Sequence, residues 1–184
     1  MVQNDRLSAA IERNLNEVGS TILERKAILG IETVDDLYHG LDFIHFAHIA
    51  LFNDMMARAI RVLDLNKDST TFWYIYKHYK NDIDPYLSAL RVDIQAICDM
   101  AKRLKHIRDT VIFHIDKEGV LNPEYAWNKA NVKGDQLAAI MDTLWEVLVH
   151  IYKLHFGKEI ILPEYTGEDA TKIIKAAQDT GLIF

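Results

Sequence analysis

The stretch Pro85–Leu104, PYLSALRVDIQAICDMAKRL, decides the fold class. Leu87, Leu90, Ile94, Ile97, Ala101 and Leu104 recur at intervals of three and four, which puts them on one face of an α-helix. A stripe of this kind packs ridge into groove against neighbouring helices. Pro85 suits the first turn, where no intrahelical donor is needed. The same period runs along most of the chain. Leu7, Ile11, Val18 and Ile22 mark one face of a first helix, with Gly30 as its expected stop. Leu37, Leu41, Ile44, Leu51, Met55 and Val62 mark a second helix over 34–63, about 45 Å long. Asn66 to Asp68 ends that helix, and Ser69 is placed to cap a short aromatic helix over 70–78. A break is expected over 81–85. Residues 116–134 read as a connector holding Tyr125, Trp127, Lys129 and Lys133. Leu137, Ile140, Met141, Leu144, Leu148 and Ile151 mark a long helix over 135–155, closed by Gly157. Glu159 to Leu162 reads as a short extended piece, and Thr166 as the cap of a terminal helix over 168–178. The expected architecture is all-α: an up-and-down bundle over about 4–156 with a C-terminal appendage over about 157–184, in one domain of residues 1–184.

Composition agrees with that architecture. Three prolines and eight glycines are too few for an all-β chain with many turns. Apolar residues make up 49% and charged residues 26%, enough to bury a core without staples. The single cysteine, Cys98, excludes an intrachain disulfide and reads as a small core hydrophobe, which suits a reducing compartment. No apolar run has the length of a membrane span, and residues 1–6 lack a signal-peptide pattern, so a cytoplasmic protein is expected. The net charge of −6 argues against broad electrostatic capture of nucleic acid, though it leaves room for a local basic groove.

The chemistry concentrates just beyond the opening stripe, in Lys105-His-Ile-Arg-Asp-Thr-Val-Ile-Phe-His-Ile115. Arg108 precedes Asp109 and stands six positions before His114. A guanidinium, a carboxylate and an imidazole are the groups needed to grip a phosphate and move protons around it. On a straight helix, six residues rotate two side chains roughly 120° apart and about 9 Å along the axis. Arg108 and His114 therefore meet only if the helix breaks, if the arginine reaches down, or if two copies face each other across a two-fold axis. The β-branched Thr110-Val-Ile112 is poor helix-forming material, so distortion is expected there.

This run is similar to the signature of the HEPN superfamily: an Arg, a polar residue, several intervening positions, then a His. Together with His114-Ile-Asp116, the long second helix and the chain length, it looks most like the U-type abortive-infection branch. The resemblance covers the bundle in outline and only the motif residue by residue. It implies a homodimeric helical bundle with metal-independent RNA endonuclease activity, acting as a toxin or phage-defence effector without a cofactor. It further implies that the RNA 2′-hydroxyl attacks the adjacent phosphodiester to give a 2′,3′-cyclic phosphate. His114 would then be the general acid or base, Arg108 the phosphate clamp, and Asp109 the group that orients one of them. Any antitoxin or nucleotidyltransferase partner would be a separate protein.

Lys102, Arg103, Lys105 and His106 form a basic cluster before the motif. They are candidate RNA contacts, with Tyr125 and Trp127 as possible stacking platforms. The plainer alternative is a positive helix end that complements the macrodipole, with Trp127 packing a loop. Two other functions stay open: a non-catalytic HEPN module that binds RNA or protein, and a metal-binding bundle. The latter would use His45 and His48, three apart on the second helix, with His114 or His155.

Overall fold

The computed structural model describes residues 2–32, 42–112 and 123–180. Within them the chain is all-helical, and seven α-helices follow in order. They are α1 (Val2–Glu32), α2 (Asp42–Leu63), α3 (Phe72–Ala89), α4 (Ile94–Ile107), α5 (Pro123–Ala130), α6 (Gly134–Phe156) and α7 (Glu168–Asp179). A π-helical turn, Arg108–Ile112, continues directly from α4.

α1 is the spine of the bundle and packs against α2, α3, α6 and α7. Its expected face is buried throughout: Leu7, Ile11, Val18 and Ile22 are all within the core, as are Leu15 and Ile28. α6 supplies the opposing wall, with Leu137, Ile140, Met141, Leu144, Leu148 and Ile151 buried as their spacing predicts. Met55, Met56, Ala59, Ile60 and Val62 from α2 and Ile97, Met100, Ala101 and Leu104 from α4 complete one continuous core, and Ile107 is also buried. Tyr152 is 1% exposed, and its hydroxyl donates to Glu12 on α1.

Several local expectations are corrected. Gly30 does not stop α1, which runs on to Glu32. Its role is close approach, because a Cβ there would lie 2.2 Å from the carbonyl oxygen of Gly167. Gly167, at φ +81°, in turn lies against the Lys26 carbonyl. The Thr171 hydroxyl donates to the Gly30 carbonyl at 2.7 Å, so the appendage docks on α1 backbone to backbone. Ile174 and Ile31 form a small satellite core under this contact.

The break expected over 81–85 is absent. α3 runs through Pro85 to Ala89, kinked at Tyr79 (φ −119°, ψ 26°). The proline ring crowds the carbonyl four residues back, at Asn81, and the helix bends just before that point. The real break is at Leu90–Asp93, so the opening stripe is shared by two helices. There the Arg91 N–H donates to Ser88 and the Val92 N–H to Leu87, a Schellman closure with Arg91 left-handed at φ 58°. Asp93 then caps α4, accepting from the Gln95 N–H at 2.9 Å. The cap of α3 is Thr71 rather than Ser69, and its side chain makes no capping bond. Finally, the connector contains helix α5, which starts on Pro123.

Cys98 is only half-buried, at the margin of the core. Thr166 accepts the Glu168 N–H at 3.4 Å, although Gly167 is the residue that caps α7. Leu37, Leu41 and the expected start of the second helix lie outside the described residues. No helix among the described residues is long and apolar enough to cross a membrane.

Candidate active site around Arg108

α4 delivers Arg108. The α-helical stripe that buries Leu104 and Ile107 places the next residue at the edge of the core, where the Arg108 side chain is 25% exposed. From Arg108 onward the helix widens into the π turn, at the β-branched run where distortion is expected. The Thr110 hydroxyl donates to the His106 carbonyl at 2.7 Å, the back-bond to residue i−4 that loosens a helix. Wide turns of this kind are rare and recur at functional sites.

Two carboxylates converge on the guanidinium, and a lysine backs one of them. Arg108 Nε donates to Asp109 Oδ1 at 2.8 Å, and a terminal nitrogen pairs with Asp64 Oδ1 at 3.0 Å. Lys105 Nζ donates to the other oxygen of Asp109. The hydrogen bond from Lys105, reinforced by Arg108, holds the Asp109 carboxyl below its usual range, and Asp109 together with Asp64 raises Arg108. Asp109 thus orients Arg108. Asp64 is the residue that sequence reasoning misses. It immediately follows α2, whose last carbonyl, Leu63, accepts the Trp73 indole N–H at 3.0 Å. That bond fixes the end of α2 and so positions Asp64. Among the described residues these carboxylates engage two of the five guanidinium donors.

His114 lies outside the described residues, as does Asp116, so the structure places one half of the Arg–His pair. The basic cluster divides by helical phase. Lys102, Arg103 and His106 line one shallow groove of about 280 Å³ together with Lys129 and Ala130 of α5. Lys105 points to the other side, onto Asp109. Within the groove Lys102 pairs with Asp99 at 2.8 Å. Arg103 reaches the Asn131 carbonyl at 3.2 Å and Gln136 at 3.3 Å, tying the α5–α6 turn to α4. The Nε2 atom of His106 is buried without a hydrogen-bond partner among the described residues. Lys129 was legible as basic in sequence, but its convergence on the groove depends on α5 being a helix.

Of the two aromatic candidates, Trp127 packs on the core and against Phe52, ring centroids 5.8 Å apart. Tyr125 is exposed, with Lys129 Nζ 5.8 Å from its ring centroid. Of the histidines considered for a metal, His114 lies outside the described residues, and His48 and His155 have separate partners. His48 bonds Glu32 at 3.1 Å, whereas His155 bonds Asp82 at 3.0 Å beside α3. No cluster suited to a metal ion is found among the described residues. The chain matches no family model, no curated protein and no solved structure.

Proposed function

We propose that this chain is a HEPN-type, metal-independent RNA endonuclease, working as a toxin or phage-defence effector. The observation that carries the reading is Arg108: a half-buried guanidinium on a π-helical turn, oriented by Asp64 and Asp109. The groove of Lys102, Arg103 and His106 on α4 with Lys129 of α5 supports it as a track for the RNA backbone.

In this reading Arg108 grips the non-bridging oxygens of the scissile phosphate. The 2′-oxygen bonds to phosphorus and gives up its proton, and the bond from phosphorus to the 5′-oxygen breaks. The leaving oxygen takes a proton, so the products are a 2′,3′-cyclic phosphate and a 5′-hydroxyl. His114 is the group assigned to the proton transfers, since imidazole changes charge near neutral pH. Arg108 stabilises the charge that builds on the five-coordinate phosphorus. Homodimerisation belongs to the same proposal. Phe43 and Phe46, 80% and 67% exposed on α2, support self-association.

One observation favours a second reading, a non-catalytic HEPN module that binds RNA or protein. The charges of Arg108 and Lys105 are offset by those of Asp64 and Asp109. Incubation with total RNA in EDTA separates the two. Cleavage that persists in EDTA and disappears in both Arg108→Ala and His114→Ala supports the nuclease. A wild type that cuts nothing between about pH 5 and 8, where an unperturbed imidazole titrates, supports the binding module.

A further inference from the structure

A cavity of about 330 Å³ lies between α1, α2, α5 and α6, on different residues from the Arg108 site. Its volume is at the low end of the range for small-molecule sites. Phe52 and Met55 of α2, Trp127 of α5, and Leu137 and Met141 of α6 supply apolar walls. Phe52 and Trp127 meet at 55°, leaving ring faces for a flat group to pack against. The methionines are flexible, polarizable side chains that adapt to a guest.

The polar groups are confined and unequal. Arg25 and Lys26, successive residues on α1, both line the cavity and are half-buried. Neither forms an ion pair among the described residues. Of the two carboxylates that also line it, Glu32 is engaged by His48 at 3.1 Å and Asp142 is exposed. An apolar chamber with two half-desolvated cations, neither in an ion pair among the described residues, complements an apolar body that carries one negative charge.

We propose that this cavity binds a small amphipathic organic anion. A ring-sized apolar body sits among Phe52, Trp127, Met55 and Met141, and a carboxylate or sulfonate end meets Arg25 and Lys26. The assignment does not depend on the nuclease reading.

The test uses anilinonaphthalene sulfonate as the anionic probe and uncharged N-phenyl-naphthylamine as its control, followed by fluorescence on the full chain. One saturable site for the sulfonate is expected. Arg25→Gln with Lys26→Gln weakens it about tenfold or more, the effect of losing about 1.4 kcal/mol, and leaves the uncharged probe unchanged. Ala138→Trp, which fills the cavity, removes both probes. Phe43→Ser with Phe46→Ser, on the exposed stripe outside the cavity, changes neither. Absence of saturable binding overturns the proposal. So does an affinity for the sulfonate that ignores the charge variant, or one that is lost with Phe43 and Phe46 instead. The charge variant decides alone if Ala138→Trp does not fold.

Discussion

Arg108 is held by carboxylates that any phosphate must compete with. Each pair is partly exposed and contributes at most about 1 kcal/mol, so the competition is mild. Asp64→Asn removes one competitor and one repulsive charge. In a His114→Ala background it should tighten RNA binding several-fold at fixed salt, measured by fluorescence anisotropy, whereas Arg108→Ala should weaken it. Arg91 offers a test of local conformation. It occupies the left-handed position of a Schellman closure at φ 58°, where a side chain costs about 1 kcal/mol. Arg91→Gly should therefore raise stability by roughly 0.5–1 kcal/mol in urea unfolding. At this scale the sequence singled out Arg108 and Asp109, whereas Lys105, expected as an RNA contact, instead pairs with Asp109 four residues on. It could not show Asp64, which reaches Arg108 only through the packing of the end of α2 beside α4.

Among the elements, hydrophobic period was a good guide to faces and a poor one to ends. The stripes of α1 and α6 are buried as their spacing requires. The stripe from Leu87 to Leu104 kept its period across a helix boundary, so period alone could not reveal the Arg91 turn. Pro85 misled in the other direction, since a kinked helix absorbs a proline that a straight one does not. Gly30 read as a stop because glycine so often ends helices, and nothing local distinguishes that use from close backbone approach. The difference is testable. Gly30→Ala forces a Cβ onto the Gly167 carbonyl and should destabilise the protein by about 1–3 kcal/mol, the usual cost of overpacking. Limited proteolysis should then cut residues 157–180 earlier than in the wild type, while the core of α6 stays protected.

Across the whole molecule, α1 and α2 are joined by charge as well as by apolar packing. Arg58 pairs with Glu24 at 2.9 Å, Asp54 at 2.8 Å and Glu17 at 3.2 Å, more negative charge than one arginine offsets. Burial, with Asp54 adding to it against Arg58, pushes the Glu24 carboxyl up to about 7. A carboxyl raised in the folded state binds its proton more tightly there than in the unfolded chain. Its contribution to stability is complete below about 4.5 and is lost as pH rises through about 7. Glu24→Gln should flatten this loss, so the melting temperature of the variant relative to the wild type should climb between pH 5 and 8. None of this cluster was legible from sequence, where Glu24 was one more polar position on a long helix. The all-helical architecture was legible, because it depends on a period repeated many times and survives errors at single residues.

The position of α1 has a consequence for how the chain is made. The helix leaves the ribosome before the other described helices, yet its apolar face is shared among α2, α3, α6 and α7. Half of those partners are translated at the far end of the described chain. A nascent α1 can be covered on one side by α2 and α3 but keeps the seats of α6 and α7 open until synthesis reaches them. Long-range closures of this kind slow folding and leave apolar surface open to other chains in the meantime. The bundle should acquire its helices early and its final protection late, with the α6 contact as the committing step.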